Sequence, residues 1–221
     1  LALRSTVLPA RPRARLIARN VALPRGARDA NIRVDSEAGL PQGAILTFSL
    51  RADSPAAFGA NGRVEIRSVD GSFTTTLTMA RNQLKIAGPG VIVATLDPTR
   101  EFGPAAFGQL EFRVALGEVA GDWAPLTTLV RVPALAELQC AAAPESGCSL
   151  SGSDLYLIEA VARGPEFADA VQVPEGFPGD RLRVPHPGDA GLYVKLRDDP
   201  TAIHAVGLPA QVAEPQDPPA G

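Results

Sequence analysis

The sequence of 221 residues is poor in the side chains from which most catalytic centres are built, with two histidines, two cysteines and an aromatic content of 5%. It contains no HExxH, P-loop, GxSxG or GxGxxG motif. The common zinc, nucleotide and serine-hydrolase chemistries therefore lack their signatures. We expect no enzymatic activity, no cofactor and no bound metal in this chain.

Long apolar runs are missing too, since no stretch approaches the roughly 20 residues that a membrane-spanning helix needs. We therefore expect no membrane insertion. The chain begins at Leu1 without a signal-peptide pattern and ends in AEPQDPPAG, a segment typical of a linker or tail. These features favour a piece of a larger protein, with a complete mature secreted protein as the alternative.

Lysine is nearly absent, because only Lys85 and Lys195 are present and arginine supplies almost all of the positive charge. Together with heavy use of Ala, Gly and Pro, this composition suggests a bacterial genome of high GC content. It indicates an origin and carries no information about function.

The positive charge is concentrated at the start of the chain, where residues 1–28 contain seven arginines and no acidic residue. Arg11, Arg13 and Arg15 alternate with other residues, so an extended backbone places them on one face. This arm could bind a polyanion or an acidic partner. The favoured interpretation is a solvated edge strand, or an arm neutralised by its own acidic body. Nucleic-acid binding is not expected, because the net charge is −3 and no aromatic residue interleaves with these arginines.

Histidines and carboxylates show no catalytic spacing. His186 lies between two prolines, and His204 lies in a predicted strand. Asp198 and Asp199 precede Pro200 and could supply oxygen ligands to calcium, but the chain lacks the DxDxDG pattern and Asp before Pro is ordinary turn chemistry. Acidic pairs that form only on folding need no sequence motif and stay open.

Glycine and proline are abundant, with 21 of each, so helices of more than about three turns have little room. Alternating apolar and polar residues in many short runs instead predict an all-β chain of antiparallel β-sandwiches. The predicted strands cover 15–23, 30–36, 44–51, 63–69, 72–79, 83–87, 91–96, 109–116 and 126–132, then 149–151, 154–162, 170–173, 181–184, 190–196 and 203–207.

Two local patterns stand out in the first block. Asp70 and Gly71 separate two strand-like runs and predict a hairpin with a type I′ turn. The segment PAAFG occurs at 55–59 and again at 104–108, and each copy leads into a Glu–apolar–Arg triplet. A relic of duplication is one explanation. We favour the alternative, in which Phe58 and Phe107 each fill the end of one core.

We place a domain boundary after Pro133. Residues 1–133 would form a first β-sandwich with the basic N-terminal arm, and residues 134–221 a second, smaller sandwich with a Pro-rich tail. Cys140 and Cys148 flank a predicted turn in the second domain and are expected to form a disulfide that closes a β-hairpin. Two free thiols are the main alternative, and metal or redox chemistry is the weakest. A disulfide points to an oxidising compartment, so we expect a secreted, periplasmic or cell-surface location.

The second block resembles immunoglobulin-like domains. In DAGLYVKL, the alternation of Asp189, Gly191 and Tyr193 is similar to the F-strand signature of that family, with Lys195 where its cysteine stands. LSGSDL at 150–155 resembles the GxNL opening of IPT/TIG modules, with Asp154 where Asn is commoner. The resemblance implies an immunoglobulin-like sandwich used as a spacer, adhesion or interaction module, and it identifies no ligand.

Trp123 is the single tryptophan and follows Gly121 in a predicted loop. It could be an exposed platform for a ligand, but we favour a place in the core or a domain seam. The residues with a candidate binding role are therefore Arg11, Arg13, Arg15 and Trp123. We expect a non-enzymatic structural or interaction module of a larger secreted or cell-surface bacterial protein. Its partners would be proteins or other domains of the same polypeptide. The alternative is a carbohydrate-binding module attached to a secreted enzyme, with a glycan as partner.

The disulfide can be tested directly. Unreduced protein purified from an oxidising compartment should yield a peptide containing both Cys140 and Cys148 that is lighter by about two hydrogens than its reduced form. The closed loop should stabilise the fold by about 2.5 kcal/mol. Two thiols that react with an alkylating reagent before reduction would disprove the pairing.

Overall fold

The computed structural model describes residues 11–23, 31–34, 39–53, 58, 61–141, 143, 146–187 and 191–212. These residues form an almost entirely β structure with several antiparallel sheets, which confirms the predicted all-β class. No helix among them is both long enough and apolar enough to span a membrane. The arginines before Arg11, the Pro-rich tail and Asp189 of the immunoglobulin-like signature lie outside the described residues.

The strands in chain order are β1 (Ala14–Ala22), β2 (Ile32–Arg33), β3 (Gly39–Pro41), β4 (Ile45–Ala52), β5 (Gly62–Ser68), β6 (Thr74–Thr78), β7 (Leu84–Gly88), β8 (Val91–Leu96), β9 (Gly108–Leu116), β10 (Val119–Ala120), β11 (Ala124–Val130), β12 (Ala134–Cys140), β13 (Cys148–Ser153), β14 (Ile158–Ala162), β15 (Val171–Gln172), β16 (Arg181–Val184), β17 (Leu192–Leu196), β18 (Asp199–Val206) and β19 (Ala210–Val212). Helix α1 (Pro98–Phe102) has five residues, in agreement with the expectation of short helices, and a 3₁₀ turn covers Leu155–Leu157.

The contacts divide the chain into two compact units. Unit 1 comprises Leu1–Ala22 and Gly43–Thr127, and unit 2 comprises Leu23–Gln42 and Thr128–Gly221. The sequence-based division after Pro133 assigns residues 23–42 to the first domain, whereas the contacts assign them to unit 2. The reason is strand pairing: β2 pairs with β18, and β3 pairs in parallel with Thr128–Val130.

Unit 1 is built from two antiparallel layers. One sheet has the order β1-β4-β8-β7, and the other contains β11, β9, β5 and β6 in that order with β10 beside β9. The layers meet through alternate apolar side chains. Phe48 of β4 and Phe112 of β9 are 1% exposed and their ring centroids lie 6.2 Å apart. Burial of such large side chains on both inner faces is what stabilises a sandwich.

The alternation predicted for the strand of residues 63–69 is confirmed. Val64, Ile66 and Ser68 are buried, while Glu65 and Arg67 lie on the other face of β5. This strand forms the expected hairpin with β6.

The turn of this hairpin differs from the expected type I′. A type I′ turn needs positive φ at both central residues, and here Gly71 has φ +76° whereas Asp70 is not among the residues with positive φ. The loop is also longer, because the amide of Ser68 donates to the carbonyl oxygen of Phe73. The backbone amide and the hydroxyl of Ser72 both donate hydrogen bonds to the Asp70 carboxylate and hold this longer loop.

The two phenylalanines of the PAAFG repeat have different environments. Phe58 is 1% exposed and fills the core as expected, but Phe107 is 47% exposed. The expectation that both phenylalanines fill the end of one core is therefore wrong for Phe107, which directly precedes the first residue of β9.

Unit 2 has the same two-layer plan. One sheet has the order β16-β13-β12-β19 and the other the order β15-β14-β17-β18-β2. Leu138 and Leu150 from the first sheet pack in one buried cluster with Val161, Val194 and Leu196 from the second.

Asp154, the residue that stands where the GxNL-like segment commonly has Asn, has φ +58°. This left-handed conformation suits Asn or Asp better than most other residues with a β-carbon.

Candidate functional site

The outer face of the β5–β9 pair in unit 1 carries a cross-strand ladder of opposite charges. Because the strands are antiparallel, Glu65 lies opposite Arg113 and Arg67 lies opposite Glu111. The Arg113 guanidinium lies 2.7 Å from Glu65, and that of Arg67 lies 3.1 Å from Glu111. Arg63 also donates to Glu65 at 2.7 Å. Each pair is partly shielded from water, so it holds its geometry better than an isolated surface ion pair.

Trp123 packs on this ladder. The guanidinium carbons of Arg67 and Arg113 lie over its ring, at 4.2 Å and 4.4 Å from the centroid. Such cation–π contacts contribute roughly 0.5–2 kcal/mol each. Trp123 is half-buried, so it does not fill the core. The reason is that its neighbours Arg67 and Arg113 alternate with the core residues Ile66 and Phe112 and must point outward. The alternative place in a domain seam stays a prediction. We call Arg63, Glu65, Arg67, Glu111, Arg113 and Trp123 the arginine–tryptophan face.

The carboxylate of Glu65 is the centre of the ladder. Burial alone would raise its pKa, but hydrogen bonds from Arg63 and Arg113, with their positive charges, outweigh burial and lower the pKa of Glu65 below its ordinary value. Glu65 is therefore ionised throughout the neutral range and keeps both arginines oriented.

An open cleft adjoins the arginine–tryptophan face. Trp123 and Arg113 form part of its wall, together with Arg11, Glu118 and Asp122, and its volume is about 510 Å³. A second depression of about 460 Å³ shares Arg11 and Asp122 with it. The remaining walls of this second depression combine charged and apolar side chains: Arg13, Asp53, Phe58, Val114 and Leu116.

The close approach of two chain segments brings these residues together. Gly121 lies against the backbone carbonyl of Pro12, so that a β-carbon at position 121 would collide with it. The amide of Gly121 also donates to the carbonyl oxygen of Val114. A glycine at this position therefore allows the segment that carries Arg11 to pass beside Trp123.

Arg11, Arg13 and Arg15 are all exposed. The first two reach the depressions, but Arg15 does not line either of them and lies opposite Arg51 on β4. Arg11 forms an ion pair with Asp122 at 3.1 Å, with both side chains largely exposed. This contact supports the interpretation of an arm neutralised by its own acidic body, and at such exposure it adds little to stability.

In unit 2, Cys140 and Cys148 form a disulfide between β12 and β13, as the spacing predicted.

The calcium hypothesis for the Asp198–Asp199 loop is weakened by an ion pair, because Arg131 binds the carboxylate of Asp198. Both carboxylate oxygens of Asp198 accept hydrogen bonds from the Arg131 guanidinium at 2.8 Å. The side chain of Asp198 is 2% exposed. The hydrogen bond to Asp198 raises the pKa of Arg131, and a cation already occupies the side of the carboxylate that calcium would need.

The charged ladder of the arginine–tryptophan face could have been predicted from a repeated pattern in the sequence. The two Glu–apolar–Arg triplets, read above as a possible duplication, lie on neighbouring antiparallel strands. When the same Glu–apolar–Arg pattern lies on two strands that run in opposite directions, each glutamate lies opposite an arginine, which is a stabilising cross-strand arrangement. The contact of Trp123 with these arginines had no comparable signal.

Comparison with models of protein families finds no match to this chain, and comparison with curated protein sequences finds none. Among solved structures, the chain is weakly similar to SGBP-B of the Bacteroides ovatus mixed-linkage glucan utilization locus, in complex with a mixed-linkage heptasaccharide. The identity is 11% and the TM-score 0.24, over 81% of this chain and 45% of that one. This chain thus spans less than half of the other protein's length. A likeness of this size supports no argument about fold or ligand.

The role of Glu65 predicts a pH-dependent stability difference. Because its pKa is lowered on folding, Glu65 stabilises the protein above its unfolded pKa of about 4.3, and the contribution is lost as the pH falls through the folded pKa. Denaturant unfolding should show Glu65→Gln less stable than the wild type at pH 7, with the difference shrinking below about pH 4.3. Glu118→Gln removes an exposed carboxylate as the control. An equal difference at pH 7 and pH 3 would contradict the assignment.

Proposed function

We propose that this chain is a non-enzymatic interaction module of a larger secreted or cell-surface bacterial protein, and that it binds a protein partner through the arginine–tryptophan face and the adjoining cleft. The observation that carries the proposal is the half-exposed Trp123, held by Arg67 and Arg113 beside a cleft. Tryptophan and arginine are among the residues most enriched at the energetic centres of protein interfaces.

The charge of the cleft favours a protein over a polyanion. In the wall next to Trp123, the two cations Arg11 and Arg113 are balanced by the anions Glu118 and Asp122. The neighbouring depression adds apolar surface from the partly buried Pro12 and Leu116. Balanced charges around an apolar patch are typical of protein interfaces, whereas a polyanion site needs an excess of positive charge.

The disulfide supports the proposed location of the module outside the cytoplasm. Bonds of this kind form and persist in oxidising compartments, which include the periplasm, the cell surface and the medium. The disulfide closes a hairpin of unit 2 and constrains that part of the fold when the protein is outside the cytoplasm.

The arrangement of carboxylates supports a binding role without catalysis. Glu65, Glu111 and Asp198 each accept hydrogen bonds from arginine. An acid–base pair for hydrolysis needs two carboxyl groups that face one substrate, and these three are instead used in ion pairs within each unit.

A glycan is the alternative partner, and the half-exposed ring of Trp123 favours it, because sugars stack on flat aromatic surfaces. Two guanidinium groups already lie over that ring, which reduces the aromatic area left for a neutral sugar. A carbohydrate-binding module attached to a secreted enzyme is therefore the second candidate.

The proposal predicts that Trp123→Ala loses partner binding. Wild-type chain, Trp123→Ala and the control Lys85→Ala, which removes an exposed charge on β7, would be immobilised and exposed to secreted and surface proteins of a bacterium that encodes the chain. A protein retained by the wild type should be purified and its Kd measured. We expect Trp123→Ala to raise this Kd by at least about tenfold, or roughly 1.4 kcal/mol, with Lys85→Ala unchanged.

The same three proteins would be tested on an array of neutral and uronic-acid oligosaccharides, and for turnover of glycans, esters and peptides. Binding to an oligosaccharide that depends on Trp123, without a protein partner, would replace the first candidate by the second. Turnover that disappears on substitution of a carboxylate, with the fold intact, would overturn the non-enzymatic assignment.

A further inference from the structure

The register of unit 2 places a histidine beside the disulfide. Cys140 lies opposite Cys148, and Cys148 lies opposite Val184 on β16. His186 follows two residues after Val184, so an extended chain directs it to the same side of the sheet. One ligand atom from each of Cys140, Cys148 and His186 lies within 4.8 Å of the other two. The sequence did not predict this, because His186 is distant from the cysteines along the chain.

The imidazole of His186 is held in place by a hydrogen bond through one of its two ring nitrogens. Its Nδ1 lies 2.9 Å from the carbonyl oxygen of Pro187. A carbonyl oxygen only accepts hydrogen bonds, so in the neutral ring Nδ1 carries the proton and Nε2 keeps its lone pair. A histidine ligand fixed by a hydrogen bond from its second nitrogen is the usual arrangement in metal sites. The flanking Pro185 and Pro187 further limit the backbone of this residue.

The surroundings favour a soft metal ion. Cys140 and Cys148 are 2% and 4% exposed, and they belong to the buried cluster of unit 2, while His186 is half-buried at its margin. Two thiolates and one imidazole are a donor set that suits Zn²⁺ and Cu⁺ and does not suit Mg²⁺ or Ca²⁺. A set of three protein ligands also leaves a coordination position open for water or another ligand.

We propose that the hairpin has a second state, in which the reduced Cys140 and Cys148 bind one thiophilic cation, Zn²⁺ or Cu⁺, together with His186. In the disulfide state both sulfurs are bonded to each other, so the disulfide and the metal are alternatives. A thiol or phosphine reductant supplies two electrons, the S–S bond breaks, and two thiols form. Two molecules of a thiol reductant give up their protons and become one disulfide, whereas a phosphine becomes a phosphine oxide, with water supplying its oxygen and the two thiol protons. Metal binding then releases the two thiol protons.

The test uses the full chain, reduced with a water-soluble phosphine under nitrogen and titrated with Co²⁺ as a spectroscopic substitute for Zn²⁺. One equivalent should produce thiolate-to-metal absorption, and one equivalent of Zn²⁺ should displace it. Cu⁺ would be titrated separately against a chromophoric chelator. The oxidised chain and the variant Cys140→Ser/Cys148→Ser should show no such absorption.

His186→Ala decides whether the site has three protein ligands. It should weaken Zn²⁺ affinity by at least about tenfold, since even loss of a ligand's supporting hydrogen bond has effects of that size. The visible Co²⁺ bands should shift as a nitrogen ligand is replaced by water. His204→Gln, at the other histidine, should leave both readouts unchanged. Unchanged affinity and spectrum in His186→Ala would overturn the proposal, as would equal binding by reduced and oxidised chains.

Loss of structure on reduction would not prevent a decision. If the reduced chain loses β-type circular dichroism, Zn²⁺ should restore the signal in the wild type and fail to do so at the same concentration in His186→Ala. Recovery in neither protein, or equal recovery in both, would overturn the proposal.

Discussion

Burial of alternate side chains between two sheets is the constraint on which the rest of unit 1 depends. Ile66 and Phe112 must face inward, where each is at most 1% exposed. Their neighbours along β5 and β9 therefore face outward, and the antiparallel register sets each glutamate opposite an arginine. This ladder in turn provides the cationic surface over which Trp123 lies. The candidate binding surface is thus a consequence of how the core is built.

Periodicity and local chemistry were enough to predict most of the fold. Strands with clear alternation, such as β4, β5, β8 and β9, were found within one or two residues, because their pattern is local. The disulfide was also local, since eight residues separate its cysteines. The parallel pairs β3–β11 and β12–β19 were not predicted, and neither was the assignment of residues 23–42 to unit 2. Pairings between distant segments leave no periodic signal in either segment alone.

The candidate sites show the same limit. Arg11 and Trp123 were singled out as separate residues, but their place in one cleft depends on the close approach of Pro12 to Gly121, which only the fold reveals. His186 shows no catalytic spacing in the sequence, and the register of β12, β13 and β16 brings it to the disulfide. The residue types alone identified these side chains as candidates. Which of them lie together could be learned only from the order and register of the strands.

Fluorescence of the single tryptophan reports where its ring lies, because all of the tryptophan signal comes from Trp123. The measurement is acrylamide quenching of the folded wild type and of Arg67→Ala/Arg113→Ala. If Trp123 lies half-exposed on the ladder, quenching should be intermediate between that of a buried indole and that of the unfolded chain. It should increase when the two guanidinium groups are removed. Blue-shifted emission that resists acrylamide in both proteins would place Trp123 in the core and would rule out its position on the ladder.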